Sequence, residues 1–411
     1  MEYRIDGRSD NALSILGFGC MRFPTIRPGK IDLLRAELLI LEAIASGINY
    51  FDTAYLYPGS EEALGTILEK NGLRERVNIA TKLPHTNCKS LEDVEQCFQK
   101  SCTRLRTDYL DYYLIHNVVS LEQWMRLVNL GIEEWIAEKK RAGAIKRIGF
   151  SFHGSNPEFM KLIDVFDWDF CQIQYNYANE NYQAGRTGLQ YAASKGLPVI
   201  IMEPLLGGRL VDRLPEEAKR VILDAHPFDR VLSDDETSSG ISAAAQASVE
   251  LALRWLWDQP EVTVVLSGMS TEEQLLDNIG IADGAVPGCF TEEEQATLDR
   301  VLELFNKSFR IPCTGCNYCM PCPKGINIPS LFNAYNTSYS VNWFTGAMNY
   351  FMSAGALGTD PHYASDCIEC GACAKKCPQH IAIPEELKHV RHRLQPPATK
   401  TIMQAVSKMR L

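Results

Sequence analysis

Long apolar runs are missing from this 411-residue chain. No window of eighteen or more residues is uniformly apolar, so nothing in it reads as a membrane-spanning helix. The opening residues, Met1-Glu-Tyr-Arg-Ile-Asp-Gly-Arg, lack the charged-then-apolar order of a secretory leader, and a cytoplasmic protein is expected. Positive charge is in deficit: 41 Lys and Arg face 51 Asp and Glu, a net −10. That argues against a nucleic-acid partner, because phosphate binding relies on a surplus of cations. No G-x-G-x-x-G follows the first apolar run, so the dinucleotide fingerprint of an open doubly wound sheet is absent.

Cysteine, by contrast, is plentiful. Thiols in the cytoplasm are kept reduced, so the 14 cysteines read as metal ligands and free thiols rather than disulfides. Their placement agrees: eight fall after residue 312, in two tight groups.

Upstream of those groups, short apolar runs alternate with amphipathic stretches. The runs Leu13–Phe18, Ile48–Phe51, Val77–Thr81, Tyr109–Ile115, Arg147–Phe150, Phe170–Gln174, Pro198–Met202 and Val262–Leu266 predict eight strands. Helices are predicted between them, among them Leu33–Ala45, Glu61–Lys70, Leu91–Leu105 and Ala243–Trp257. Strand–helix alternation implies a parallel sheet, and eight units in one stretch fit a closed (β/α)8 barrel. Residues 205–241 break the rhythm, with a helical patch at Glu216–Leu223 and an acidic run from Asp234 to Gly240. Loops of that length at the mouth of a barrel often cover an active site; a surface insertion without a role is the plainer reading. Pro287-Gly288 marks a boundary. The division expected is a barrel over 1–285, a linking helix over 286–310 centred on Thr291–Phe305, and a smaller α-rich cysteine domain with a loose tail over 311–411.

The cysteine groups are Cys313-x2-Cys316-x2-Cys319-x2-Cys322-Pro323 and Cys367-x2-Cys370-x2-Cys373-x3-Cys377-Pro378. The second matches the bacterial ferredoxin run, in which the fourth cysteine ligates the other cluster. One [4Fe–4S] cluster is therefore assigned to Cys313, Cys316, Cys319 and Cys377, the other to Cys367, Cys370, Cys373 and Cys322. The first run is one residue short before Cys322, which leaves a three-iron cluster or a solvent-exposed iron open there. Zinc sites draw their ligands in two pairs, unlike these runs. Cys20, Cys88, Cys97, Cys102, Cys171 and Cys289 share no spacing and read as core fillers.

Active sites of barrels sit at the C-terminal ends of the strands. Those ends carry Asp52 and Tyr57 after the second strand, Lys82 after the third and His116 after the fourth. A phenol has an unperturbed pKa of roughly 10, and a neighbouring ammonium stabilises its phenolate. Tyr57 can then protonate a carbonyl oxygen while the carbon receives a hydride. Lys82 tunes the phenol, Asp52 holds Lys82, and His116 orients the carbonyl.

Asp52-Thr53-Ala54-x-x-Tyr57, Lys82 and His116 resemble the catalytic tetrad of the aldo-keto reductases. So do Leu16-Gly17-Phe18-Gly19-Cys20-Met21-Arg22, Gly59–Gly65 and Gln172-Ile-Gln-Tyr175-Asn176. The resemblance covers residues 1 to about 285, and the whole chain is similar to members that carry a two-cluster ferredoxin-type domain. It implies reduction of an aldehyde or ketone, or oxidation of the alcohol, with Ser151 and Gln172 near the nicotinamide carboxamide. It implies a nucleotide-contacting segment holding Ser267, Gly268, Gln274 and Asn278. No Lys or Arg stands in that segment, and no aromatic follows strand seven, where Met202 and Glu203 stand. NADP(H) and NAD(H) both stay open, and so does flavin, which barrels bind without a sharp motif.

Clusters pass single electrons and nicotinamide passes a hydride, so three readings follow. The barrel reduces a carbonyl while the clusters exchange electrons with a ferredoxin or flavoprotein partner. Alternatively the clusters are structural or sense oxygen, or the protein is an electron-transfer subunit with a vestigial barrel site. The acidic composition favours basic or neutral partners over acidic ferredoxins, except where a local patch overrides it.

Overall fold

The computed structural model describes residues 1–27, 29–154, 156–225, 242–340, 342–355 and 361–395. The acidic run Asp234–Gly240 and the tail after Pro396-Pro397 lie outside the described residues. The chain divides into two compact units. The first holds residues 1–205 and 242–294, the second 206–225 and 295–395. The helical patch after strand seven thus belongs to the unit that carries the cysteine runs.

Eight parallel strands close a barrel in the first unit: β1 (Leu16–Gly19), β2 (Tyr50–Asp52), β3 (Asn78–Leu83), β4 (Leu110–Val118), β5 (Ile145–Phe152), β6 (Phe170–Gln174), β7 (Val199–Met202) and β8 (Val262–Ser267). Around the barrel the order is β6-β7-β8-β1-β2-β3-β4-β5, every pairing parallel. The packing helices α1 (Leu33–Ala45), α2 (Ser60–Lys70) and α3 (Leu91–Leu105) follow β1, β2 and β3. Two helices, α4 (Leu121–Val128) and α5 (Ile132–Arg141), follow β4. Then come α6 (Asn156–Val165), α7 (Gly185–Ser194), α8 (Glu216–Ala225), α9 (Ala243–Trp257), α10 (Glu272–Ala282) and α11 (Glu292–Ser308). Helix starts obey local chemistry. Ser90 and Asp93 form a reciprocal capping box on α3, and Thr271 Oγ1 accepts from Gln274 N on α10.

One predicted strand is split. Leu13–Phe18 breaks at Ile15: Ala12–Ser14 pairs antiparallel with Tyr3–Ile5, and only Leu16–Gly19 joins the barrel. Local hydrogen bonds explain the break. Ser14 Oγ donates to Leu16 O at 2.8 Å and accepts from Asn49 N at 3.1 Å, while Ile15 N donates to Glu2 O.

The barrel floor is aromatic. Tyr112 lies edge-on to Tyr50 at 5.1 Å and to Phe170 at 5.0 Å, packed with Ala80, Leu114, Ile200, Val264 and Leu266. Side chains alternate along a strand. Above Tyr50 on the inner face therefore stands Asp52, above Ala80 stands Lys82, above Leu114 stands His116, and above Phe170 stand Gln172 and Gln174. β1 fits the closure because residue 17 is glycine: a Cβ there would lie 2.7 Å from Leu266 Cδ2 and 2.8 Å from Val264 Cγ1.

Among its described residues the second unit contains helices and turns but no strand. α12 (Ile328–Ser340), α13 (Trp343–Ser353) and α14 (Ile383–Leu394) pack around Ile311, Leu331, Phe332, Tyr350 and Leu387. Asn336 secures the entry to the first cysteine run: its Oδ1 accepts from Arg310 N and Ile311 N, and its Nδ2 donates to Ile311 O at 2.8 Å.

Candidate active site and cluster sites

Register brings the barrel site together. Asp52 faces Ala80 across β2 and β3, Lys82 faces Leu114 across β3 and β4, and Ser151 faces Gln172 across β5 and β6. Lys82, 2% exposed, donates to Asp52 Oδ1 at 2.6 Å and to Thr53 O at 2.7 Å. Gln172 Nε2 donates to the other carboxylate oxygen, Asp52 Oδ2, at 2.9 Å. Asp52 is thus held from two sides. The Lys82 ammonium lies 5.4 Å from the centre of the half-buried Tyr57 ring. Tyr57 and His116 meet edge-on, ring centres 6.1 Å apart.

His116 is buried, and its pKa is pushed well below the usual value. Burial is the main cause; Lys82, His153 and His85 add to it. The imidazole is therefore neutral at pH 7. His85, on the turn after β3, is lowered to about 4 by burial and by Arg126, whose Nη2 lies 3.3 Å from its Nδ1. Two further imidazoles, His85 and His153, thus lie within electrostatic reach of His116. Of these three the sequence singled out only His116. His153 lies one residue past β5, and that strand-end position was the signal for it.

The expected nucleotide contacts are placed as follows. Ser151 Oγ accepts from Asn117 N at 2.8 Å, where Asn117 takes a left-handed backbone (φ +57°). Gln172 Oε1 is buried and has no hydrogen-bond partner among the described residues, while its Nε2 is bound to Asp52. Asn278 Nδ2 donates to Ser267 Oγ at 2.9 Å, and Gln274 Oε1 accepts from Ser270 N at 2.8 Å, so these residues brace the loop after β8. That loop lacks a cation of its own, but the fold supplies one. A Cβ on Gly268 would lie 3.2 Å from Arg22 Cδ and 3.4 Å from Arg22 Cβ and Cγ. Arg22 closes the segment Leu16–Arg22 already singled out, and only barrel closure between β8 and β1 reveals its place.

In the second unit, one void is lined by Cys313, Cys316, Cys319 and Cys377, with Ile328 and Phe332 among its apolar walls. A second is lined by Cys322, Cys367, Cys370 and Cys373. Among the described residues no group of three or more Cys, His, Asp or Glu is close enough to grip a single ion. Four thiols lining one apolar-walled void, without the close convergence that a single ion needs, suit a cluster better than a lone zinc, whose Zn–S bonds are about 2.3 Å. The two runs bend alike: Gly315 and Asn317 in the first, Glu369 and Gly371 in the second, all have left-handed backbones. These are the second and fourth residues after Cys313 and Cys367. Burial pushes the Cys319 thiol up to about 12, and Cys313, Cys316 and Cys377 add to the effect. Arg209, from the stretch after β7, is buried, stacks 4.2 Å from the centre of the Phe309 ring and acts electrostatically on Cys313. The sequence had marked that stretch only as a long loop.

No helix among the described residues is long and apolar enough to cross a membrane. Comparison with known proteins adds the following. A profile described as the aldo/keto reductase family matches residues 15–303, and one described as a 4Fe-4S dicluster domain matches residues 312–382. Among curated proteins, the chain is similar to the uncharacterized oxidoreductase YqkF of Bacillus subtilis, 27% identical over 314 residues, covering 72% of this chain and 94% of that protein. It is also similar to the D-galacturonate reductase of Fragaria ananassa, 26% identical over 306 residues, covering 70% and 86%. Among solved structures, the holo form of the aldo-keto reductase AKR11C1 from Bacillus halodurans is 26% identical. It covers 73% of this chain and 96% of its own, with a TM-score of 0.55.

Proposed function

The chain belongs to the aldo/keto reductase family and carries a C-terminal 4Fe-4S dicluster domain, and on that premise we propose that its barrel interconverts a small carbonyl compound and its alcohol with NAD(P)(H) while its clusters exchange electrons with a partner protein. One observation carries the barrel reading: a buried ammonium, Lys82, held by Asp52 and Thr53 O next to the Tyr57 ring.

Bound nicotinamide supplies or accepts the hydride, and two clusters supply one-electron carriers. The chain's own residues do the rest. Tyr57 gives its hydroxyl proton to the carbonyl oxygen as the carbon is reduced, and takes it back in the reverse direction. Lys82 stabilises the phenolate that remains. Its own charge is balanced by Asp52, which Gln172 fixes in orientation. His116, neutral because it is buried beside Lys82, hydrogen-bonds the carbonyl oxygen and leaves proton donation to Tyr57. Gln172 Oε1, without a partner among the described residues, suits the amide of a carboxamide. Arg22 over Gly268 suits the nucleotide phosphates and answers the missing cation in the loop itself.

The two thiol-lined voids support four-cysteine ligation of each cluster, with Cys377 and Cys322 exchanged between runs. Anaerobic preparation with iron analysis, NAD(P)H oxidation by a panel of aldehydes, and the Cys370→Ala variant test the whole reading. Expected are about eight irons per chain, turnover of at least one aldehyde, and altered partner-dependent electron flow in the variant. Unchanged partner-dependent electron flow in a folded Cys370→Ala protein would leave the clusters as bystanders.

A further inference from the structure

We propose that the rim of the second cysteine void is the docking face for a small, acidic one-electron carrier protein. The inference rests on the reading that the clusters exchange electrons, and adds where and with what.

Charge is divided unevenly along the chain. Residues 312–411 contain nine Lys and Arg against five Asp and Glu, a net +4, which leaves −14 on residues 1–311. The acidic whole thus carries a basic cluster domain. Within that domain the described acids are already engaged. Glu369 and Glu385 share Lys388 at 2.9 and 3.0 Å, Glu386 meets His389 at 3.1 Å, and Asp366 Oδ2 accepts from Tyr363 N. Lys324, Lys375 and Lys376 have no ion pair among the described residues, and all three are exposed. Uncompensated positive charge is therefore what this surface presents.

One of the three lysines lines the second void, and the other two lie just past its Cys373 in the chain. Lys324 lines it, two residues from Cys322. Lys375 and Lys376 form the turn between Cys373 and Cys377. The lining cysteine Cys370 is exposed, whereas Cys319 and Cys373 are buried. In the same lining Ile368 is 58% exposed, an apolar side chain at the rim that Lys324 shares. Short-lived redox complexes use small interfaces of this composition, in which opposite charge steers the encounter. An acidic carrier is attracted to this rim despite the net charge of the chain, because screening over roughly 8 Å at physiological salt leaves only nearby charges to act. In the encounter one electron leaves the reduced carrier and reduces the second cluster by one unit, with no bond made or broken and no proton moved.

The test uses anaerobic holoprotein and flavodoxin, an acidic carrier whose semiquinone absorbance is separable, with basic cytochrome c as the opposite-charge probe. The triple variant Lys324→Glu/Lys375→Glu/Lys376→Glu is compared with wild type and with a barrel-surface control, Lys30→Glu/Arg76→Glu. Expected at about 20 mM salt is a fall of about tenfold or more in the second-order rate constant with flavodoxin for the triple variant only, and a matching rise in the Kd. Raising salt to about 300 mM should remove most of the difference. Iron content and reduction by dithionite should match wild type. The docking face is wrong if the triple variant reacts and binds as wild type does, or if cytochrome c outpaces flavodoxin at low salt. Absence of dithionite-reducible clusters would instead overturn the electron-exchange reading itself.

Discussion

Replacing Lys82 by Met separates the catalytic and the structural parts of the barrel site. Lys82 Nζ sits 2.6 Å from Asp52 Oδ1, both groups buried. At that distance the attraction is about 6 kcal/mol for an effective dielectric of about 20, most of it offset by the desolvation of both ions. Removing the ammonium alone leaves Asp52 buried with Gln172 as its remaining side-chain donor. Breaking such a pair from one side costs roughly 3–5 kcal/mol. Lys82→Met should therefore lose about that much stability in anaerobic urea unfolding followed by the barrel tryptophans. The double variant Asp52→Asn/Lys82→Met removes both charges and should regain most of the loss. Activity should not follow. Without the ammonium the phenolate of Tyr57 is no longer stabilised, so both variants should lose carbonyl reduction by about 10²–10⁴-fold. A double variant that recovers activity together with stability would refute the role given to Lys82. A single variant as stable as wild type would refute the buried pair.

Two further outcomes are expected. His85 has its pKa lowered from 6.5 to about 4 by burial, so the unfolded chain binds a proton that the native protein refuses. Stability then falls as pH drops from about 6.5 toward 4, and between pH 7 and 5 this histidine accounts for about 2 kcal/mol of the loss. His85→Asn should flatten the urea-unfolding profile over that range, and an equally steep profile would contradict it. Arg22→Ala should weaken NADPH binding, read by quenching of protein fluorescence, by about tenfold, the weight of one charge-assisted hydrogen bond. Unchanged affinity would remove Arg22 from the phosphate site.

Much of the fold was legible because alternation and spacing carry it. All eight barrel strands lie at or within a few residues of their predicted ranges, and Phe170–Gln174, Leu33–Ala45, Leu91–Leu105 and Ala243–Trp257 coincide with their elements. Leu13–Phe18 was misread as one strand because hydrophobic pattern does not register Ser14 turning its hydroxyl onto Leu16 O. The meeting of Asp52 with Lys82 could be expected from strand ends. The bond from Gln172 to Asp52 could not, since it depends on which inner layer of β6 faces β2 across the barrel. Arg22 was hidden for a similar reason: its partner segment is almost the whole barrel away in sequence and adjacent only after closure. The membership of residues 206–225 in the second unit escaped because a long loop has no period to read. The charge of the cluster domain escaped because a net value of −10 averages two opposite regions.

The central claim, that Tyr57 is the proton donor of a nicotinamide-dependent carbonyl reduction, is tested most directly by single-turnover oxidation of bound NADPH by an accepted aldehyde in wild type and Tyr57→Phe. The account predicts a rate lower by about 10²–10⁴-fold in the variant, with NADPH affinity unchanged. A Tyr57→Phe protein that binds NADPH and oxidises it at the wild-type rate would contradict it.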